Sequence, residues 1–271
     1  MLVKDKVFIV GCGNMGAALA GGYARAYPGA EVVALDHDPA RARSLLPDGV
    51  VIPVCRELTE LADFSPDIVI LALKPQVLGD ALPGLIAKCA GALVISIAAG
   101  VSLASLSRLL GGHPRVVRAM PNLPVTVGQG MSTLYAPALE ATDKARCAAV
   151  FAAVGLIDWV PAENLIDAAT AVAGSGPAYF FALVEHLAAA GVAEGLSPEL
   201  AERLARQTCI GAAALLAGDE RSAAKLKAAV CSPKGTTEAG LAAMETADGL
   251  PRVVAAGVAA AHRRARELAA A

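Results

Sequence analysis

The feature that most constrains this chain is the junction of Lys6-Val7-Phe8-Ile9-Val10 with Gly11-Cys12-Gly13-Asn14-Met15-Gly16. A short apolar run rich in β-branched residues enters a G-x-G-x-x-G turn, and residues 17–27 then follow a helical pattern. In such a unit the first glycine permits the turn, the second lets a pyrophosphate approach the backbone, and the third lets the helix pack closely on the strand. The next apolar run, Glu31-Val32-Val33-Ala34-Leu35, ends in Asp36, about 20 residues after the last glycine, where an acid accepts the ribose hydroxyls of a dinucleotide. Gly11, Gly13, Asn14, Met15, Gly16 and Asp36 are therefore candidate cofactor contacts.

Further runs repeat the alternation of strand and helix. Residues 67–73 and 93–97 read as buried strands. In a parallel sheet their carboxyl ends lie on the edge that carries the glycine turn, so Ala72, Leu73, Lys74, Pro75 and Ala98 should border the ligand. Residues 115–119 form another strand, ending in Met120-Pro121-Asn122-Leu123-Pro124, where Asn122 either offers its amide to a ligand or satisfies its own turn. Asp38 and Ser102 are predicted N-caps, the first followed by Pro39 at the opening helical position. Two more strands are predicted at 131–135 and 156–160, with a helix over 143–153 between them. The arginines Arg41 and Arg43 are the cations nearest in sequence to Asp36; Asp36 itself would repel a 2′-phosphate, which leans towards NADH over NADPH.

After Pro161 strand-like runs disappear, and alanine, leucine and helix caps such as Ser197-Pro198 dominate. The expected architecture is α/β: a Rossmann-type, mostly parallel sheet over residues 1–161, and an all-helical part over 162–271. In the latter, residues 178–192 and 201–216 are apolar on most of their circumference, which predicts burial on more than one side and hence dimerisation through these helices, as a homodimer or a higher oligomer of dimers.

Composition narrows the partners. Net charge is −2, from 23 basic and 25 acidic residues, giving no field for nucleic acid. Mean hydropathy is +0.56, raised mostly by alanine, and no uninterrupted apolar run reaches the roughly 18–20 residues that span a bilayer, so no membrane partner is expected. Residues Met1–Lys6 show no apolar leader pattern, and the expected location is cytoplasmic. The six cysteines stand singly without metal-ligand spacing, so no metal is expected.

One polar turn stands out in the helical part: Cys231-Ser232-Pro233-Lys234-Gly235-Thr236-Thr237. Pro233 and Gly235 end the helix through Ala223–Val230, and Thr236 or Thr237 is expected to cap the next one. Successive backbone N–H groups there could converge on a small carboxylate, or the segment is an ordinary interhelical turn.

Together with Asp36, Ala72-Leu73-Lys74-Pro75, Arg118-Ala119-Met120-Pro121-Asn122 and Gly174-Ser175-Gly176-Pro177-Ala178-Tyr179, this turn resembles the Δ1-pyrroline-5-carboxylate reductases over essentially the whole chain. The resemblance implies reduction of the cyclic imine L-1-pyrroline-5-carboxylate to L-proline by NADPH or NADH, the last step of proline biosynthesis, with substrate at a helical dimer interface. It implies that Ser232, Gly235, Thr236 and Thr237 hold the substrate carboxylate, with Thr237 at the ring nitrogen, that Ser175 belongs to the substrate-binding set, and that Glu163 and Glu220 are acids near the site, Glu220 in the catalytic set. The chain departs from that pattern at Lys234, where many members have glycine, at Ala173 in place of a serine, and at Ala229, where some have asparagine. If position 234 needs a positive φ, lysine there costs energy. Two other classes remain beside this one. A β-hydroxyacid dehydrogenase would need a lysine where Phe180 stands, and a non-catalytic dinucleotide-binding protein would be expected to lose the Ser232–Thr237 turn.

Overall fold

The computed structural model describes residues 5–270; the first four residues of the N-terminal start lie outside them. Among the described residues eight strands form one sheet: β1 Lys6–Val10, β2 Glu31–Leu35, β3 Val54–Cys55, β4 Ile68–Leu71, β5 Leu93–Ser96, β6 Val116–Pro121, β7 Gly130–Tyr135 and β8 Gly155–Trp159. Their order is β3-β2-β1-β4-β5-β6-β7-β8, parallel throughout except for the antiparallel β6–β7 pair. The order reverses direction at β1, which lies between β2 and β4, so a crevice opens at the carboxyl ends of those strands. The register aligns Leu35, Val10, Leu71, Ser96 and Arg118 in one row across the sheet.

Alternation of side chains divides the apolar residues between two cores. Val7, Ile9, Ile68, Ile70, Leu93 and Ile95 face one side, where α1 (Asn14–Ala26) contributes Leu19 and Tyr23, and α5 (Ala141–Ala152) contributes Val150 and Phe151. Phe8, Val10, Val69, Leu71 and Val94 face the other, covered by Leu78, Leu82 and Leu85 of α3 (Pro75–Cys89) and Leu106 of α4 (Leu103–Leu109). A strand buried on both faces needs a continuous apolar run, which is the pattern of these parallel strands. The caps act as the sequence predicts: Asp38 Oδ1 accepts from Arg41 N ahead of α2 (Pro39–Ser44), and Ser102 Oγ accepts from Ser105 N ahead of α4.

The described residues fall into two compact units, 5–175 with 261–270, and Gly176–Ala260. In the first, α6 (Asn164–Ala169) runs into a wide i→i+5 turn over Thr170–Gly174. The second holds α7 (Gly176–Ala193), α8 (Pro198–Gly218), α9 (Ala223–Val230) and α10 (Thr236–Met244), and α11 (Leu250–Ala270) begins there. Its α7–α8 hairpin closes where Gly191 lies against Leu196 and Ala201. Few of its residues are buried; Ala201 and Ala205 are, while Phe180, Phe181, Ile210, Leu215 and Val253 are more than half exposed. The helical stretch Asn164–Ala193 is long and apolar enough, by length and composition, to cross a bilayer.

One capping expectation is corrected. Neither threonine caps α10: Gly235 is its N-cap, with no side-chain cap, and Thr236 and Thr237 are its first two helical residues.

Candidate active site

The glycine turn sits at the sheet's switch point. Gly11 adopts φ 90°, and a Cβ there would come within 2.7 Å of the Ala72 carbonyl oxygen. At Gly16 a Cβ would lie 2.0 Å from the Gly11 carbonyl oxygen. Both glycines are thus required by the protein's own packing. Gly13 is different: a Cβ there meets nothing within 4 Å. That residue is also the N-cap of α1 and provides no side-chain cap, so the first N–H groups of the helix, at Asn14, Met15 and Gly16, receive no capping side chain. A bare backbone beside the positive end of a helix is the donor set a pyrophosphate needs, and the residues present fit a dinucleotide.

Asp36 is tied to this loop. Its carboxylate accepts from Cys12 N at 2.7 Å and from Asp38 N at 2.9 Å, and His37 Nδ1 lies 3.1 Å from Oδ1. Of the two neighbouring arginines, Arg43 donates to the Val54 carbonyl oxygen at 2.8 Å. Burial, and secondarily the Asp36 charge, push the Cys12 thiol up to about 11, so this cysteine is a packed apolar group and no nucleophile at neutral pH. Ala72 N donates to the Val10 carbonyl oxygen, which sets Ala72 and Leu73 beside the glycine turn. Lys74 is the exposed N-cap of α3, with Pro75 at its first position. Ala98 is buried after β5, its N–H directed to Ser96 Oγ at 3.3 Å.

Asn122 and Glu163 are engaged within the protein. Asn122 Oδ1 accepts from Met131 N at 2.8 Å, and Nδ2 donates to the Ala173 carbonyl oxygen at 3.1 Å, two residues before Ser175. Glu163 Oε1 accepts from Leu103 N at 2.8 Å, so it serves the N-terminus of α4, and it also meets Arg118 Nη1 at 3.2 Å. Arg118, 3% exposed in β6, completes the cluster by donating to Asp167 Oδ1 at 2.6 Å. In the sequence Arg118 stands in a strand and in the segment Arg118–Asn122 that carries the family resemblance, with no partner assigned to it. A guanidinium inside an apolar run requires a buried acid partner, and that was the available signal.

In the helical unit the polar turn is compact. Gly235 N donates to the Ser232 carbonyl oxygen at 2.9 Å, and a Cβ on Gly235 would lie 2.3 Å from Ser232 Oγ. Lys234 has φ 59° and is the single non-glycine residue with positive φ among the described residues. Its N–H donates to Glu238 Oε2 at 2.6 Å. With Gly235 as N-cap, the amides of Thr236, Thr237 and Glu238 open α10 without a side-chain acceptor from the cap. Glu220 is not brought to this turn by local structure. It is exposed on the α8–α9 connection, with the eight residues of α9 between it and Cys231, a rise of about 12 Å.

An open glycine loop at the switch point of a doubly wound sheet defines a dinucleotide-binding protein, here joined to a helical unit with its own uncapped helix N-terminus. Two family models match the chain, "NADP oxidoreductase coenzyme F420-dependent" over residues 6–100 and "Pyrroline-5-carboxylate reductase dimerisation" over residues 163–268. The pyrroline-5-carboxylate reductase of Pseudomonas aeruginosa is 40% identical over 267 residues, covering 97% of each chain. A solved pyrroline-5-carboxylate reductase from Coxiella burnetii superposes with a TM-score of 0.88 at 31% identity, over 98% of this chain and 99% of that one. The Plasmodium falciparum pyrroline carboxylate reductase, solved with NADP bound, gives a TM-score of 0.80 at 29% identity over 98% of both chains. The chain belongs to the pyrroline-5-carboxylate reductase family, and it is an oxidoreductase that uses a nicotinamide cofactor.

Proposed function

We propose that this protein reduces L-1-pyrroline-5-carboxylate to L-proline, the closing step of proline biosynthesis, as a homodimer in the cytoplasm. The observation that carries the reading is the open backbone at Gly13 over the uncapped start of α1, in a chain of this family. When bound, a reduced nicotinamide supplies the hydride, and a protonated cyclic imine is already electrophilic at its C=N carbon. The chain's part is therefore positioning and electrostatics. The glycine loop and the amides of Asn14, Met15 and Gly16 hold the pyrophosphate, with Ala72–Pro75 and Ala98 along the cofactor. The amides at the start of α10, with Ser232, Gly235 and Thr236, hold the substrate carboxylate at a positive helix end. Thr237 accepts, through its hydroxyl oxygen, from the ring N–H of the protonated imine. In this scheme the dinucleotide part is 1–161, and 162–271 supplies the substrate side and the dimer contact. The exposed apolar face of the helices then meets a second copy and no membrane.

Asp36 inclines the protein to NADH. Its carboxylate is held at the loop by two backbone N–H groups, where a 2′-phosphate would meet negative charge, and the guanidinium of Arg43 is occupied at Val54. The decisive experiment follows the loss of reduced nicotinamide absorbance with pyrroline-5-carboxylate and, separately, with a β-keto acid, using each cofactor. Turnover of the imine alone, faster with NADH, is expected; oxidation by the keto acid alone, or by neither substrate, refutes the reading. In the same assay Thr237→Ala lowers kcat/KM for the imine by about tenfold or more while the cofactor Kd is unchanged.

A further inference from the structure

The carbonyl of Ala173 has a problem that can be read from the sequence. In a continuing α-helix it would accept from the N–H four residues on, but residue 177 is proline and has none. The structure supplies a donor from elsewhere: Asn122 Nδ2, at 3.1 Å, from a residue only 9% exposed. The other end of the same amide is fixed independently, because Oδ1 accepts from Met131 N at 2.8 Å while Asn122 N donates to the Met131 carbonyl oxygen at 3.2 Å. Asn122 is thus a rigid post at the end of β6.

The segment it holds is tied down a second time, at its beginning. Arg118, four residues earlier on the same strand, donates to Asp167 and Glu163. Between the two ties the helix widens, so that Ser175 N donates to the Thr170 carbonyl oxygen five residues back, at 2.9 Å. Such i→i+5 turns are rare and cluster at functional sites. This one lies at the carboxyl end of β6, on the sheet edge where Gly11, Asp36 and Ala98 follow β1, β2 and β5.

We propose that Asn122 is a positioning residue for the reduction: by donating to the carbonyl that Pro177 deprives of its i+4 amide, it fixes the wide turn 170–175 and with it the place of Ser175. Asn122 acts through the turn and does not itself hold the cofactor. Ala173 can stand where relatives carry serine because the contact uses the backbone of that residue. The proposal rests on the imine-reductase reading.

Two variants test it from opposite sides. Asn122→Asp keeps the acceptor for Met131 N and removes the donor to Ala173. Pro177→Ala leaves Asn122 intact and returns an N–H that competes for the same carbonyl, with no disturbance of the β6–β7 connection. For Asn122→Asp, losing one hydrogen bond in the turn is expected to lower kcat/KM for the imine by about tenfold, and Pro177→Ala is expected to lower it in the same direction. Cofactor Kd, read from reduced nicotinamide fluorescence, stays at the wild-type value, and amide exchange quickens over 170–175 but not over 6–10. The proposal fails if exchange quickens while kcat/KM holds in both variants, or if cofactor Kd rises in step with the loss of turnover. Absence of imine turnover in the wild-type protein would instead overturn the underlying reading, and the exchange measurement would still report whether the tie exists.

Discussion

Lys234 shows how a single backbone angle can carry functional information. A side chain at φ 59° costs about 1–2 kcal/mol relative to an ordinary conformation. Glycine would remove that strain but would lose about 0.5–1 kcal/mol through the greater freedom of its unfolded chain. Lys234→Gly should therefore stabilise the protein only slightly, by about 0.5–1 kcal/mol in a denaturant titration, while raising KM for the imine if the ammonium helps draw the carboxylate to the turn. A variant no more stable than the wild type, with KM unchanged, would leave the lysine without either role. The same turn marks where sequence reading stops. Position 234 could be flagged because a family glycine had been replaced, and the wild-type angle agrees with that concern. The cap is not assigned from the sequence, because Gly235, Thr236 and Thr237 are all acceptable N-caps and the sequence does not say after which of them the helix begins.

At the scale of elements, the strands are legible because parallel strands covered on both faces must be continuously apolar, as residues 7–10, 68–71 and 93–95 are. What joins elements was less legible. Short polar side chains in apolar contexts gave no partner from one sequence, which is why Asn122 read equally as ligand contact or turn residue, and why the acids that meet Arg118 were not paired with it. The Arg115–Asp143 pair is another such joint, tying the start of β6 to α5 with two hydrogen bonds of 2.7 Å. Hydrogen bonds from Arg115 hold the Asp143 carboxyl below its ordinary value. Since the folded form is the one with the depressed pKa, the stabilisation is complete above the unfolded value, about 3.9, and is lost as pH falls through the lower folded value. With Arg115 about one-third exposed, Asp143→Asn should cost about 1–2 kcal/mol at neutral pH, and the gap from wild type should close in acid below the ordinary carboxylate range. Thermal melts of both proteins across that window check the sign; a gap that widens towards acid contradicts it.

The whole molecule poses a different problem, since its two units are unequally provided with core. The sheet buries large side chains such as Phe8, Ile70, Leu82 and Phe151 completely, whereas in Gly176–Ala260 two alanines are among the few residues that reach that state, and Phe180 and Phe181 are 60% and 63% exposed. Each large apolar side chain left in water forgoes about 1.5–3 kcal/mol of burial. The proposed homodimer would cover this surface, and the match of residues 163–268 to a dimerisation domain supports a second copy as the partner. The texture change at Pro161 made the helical part visible from sequence. The apolar circumference of residues 178–192 and 201–216 already calls for cover on more than one side; which side chains a single copy leaves exposed depends on packing that the pattern does not specify. Phe181→Asp puts a charge where two copies would meet, and should weaken dimerisation by about 3 kcal/mol or more, a hundredfold or greater rise in Kd. Sedimentation equilibrium should then show monomer at concentrations where the wild type is dimeric, with loss of helical circular dichroism and of imine turnover but retained dinucleotide binding by the sheet. A wild-type protein that sediments as a monomer, or that requires lipid vesicles to remain dispersed, would refute the dimer.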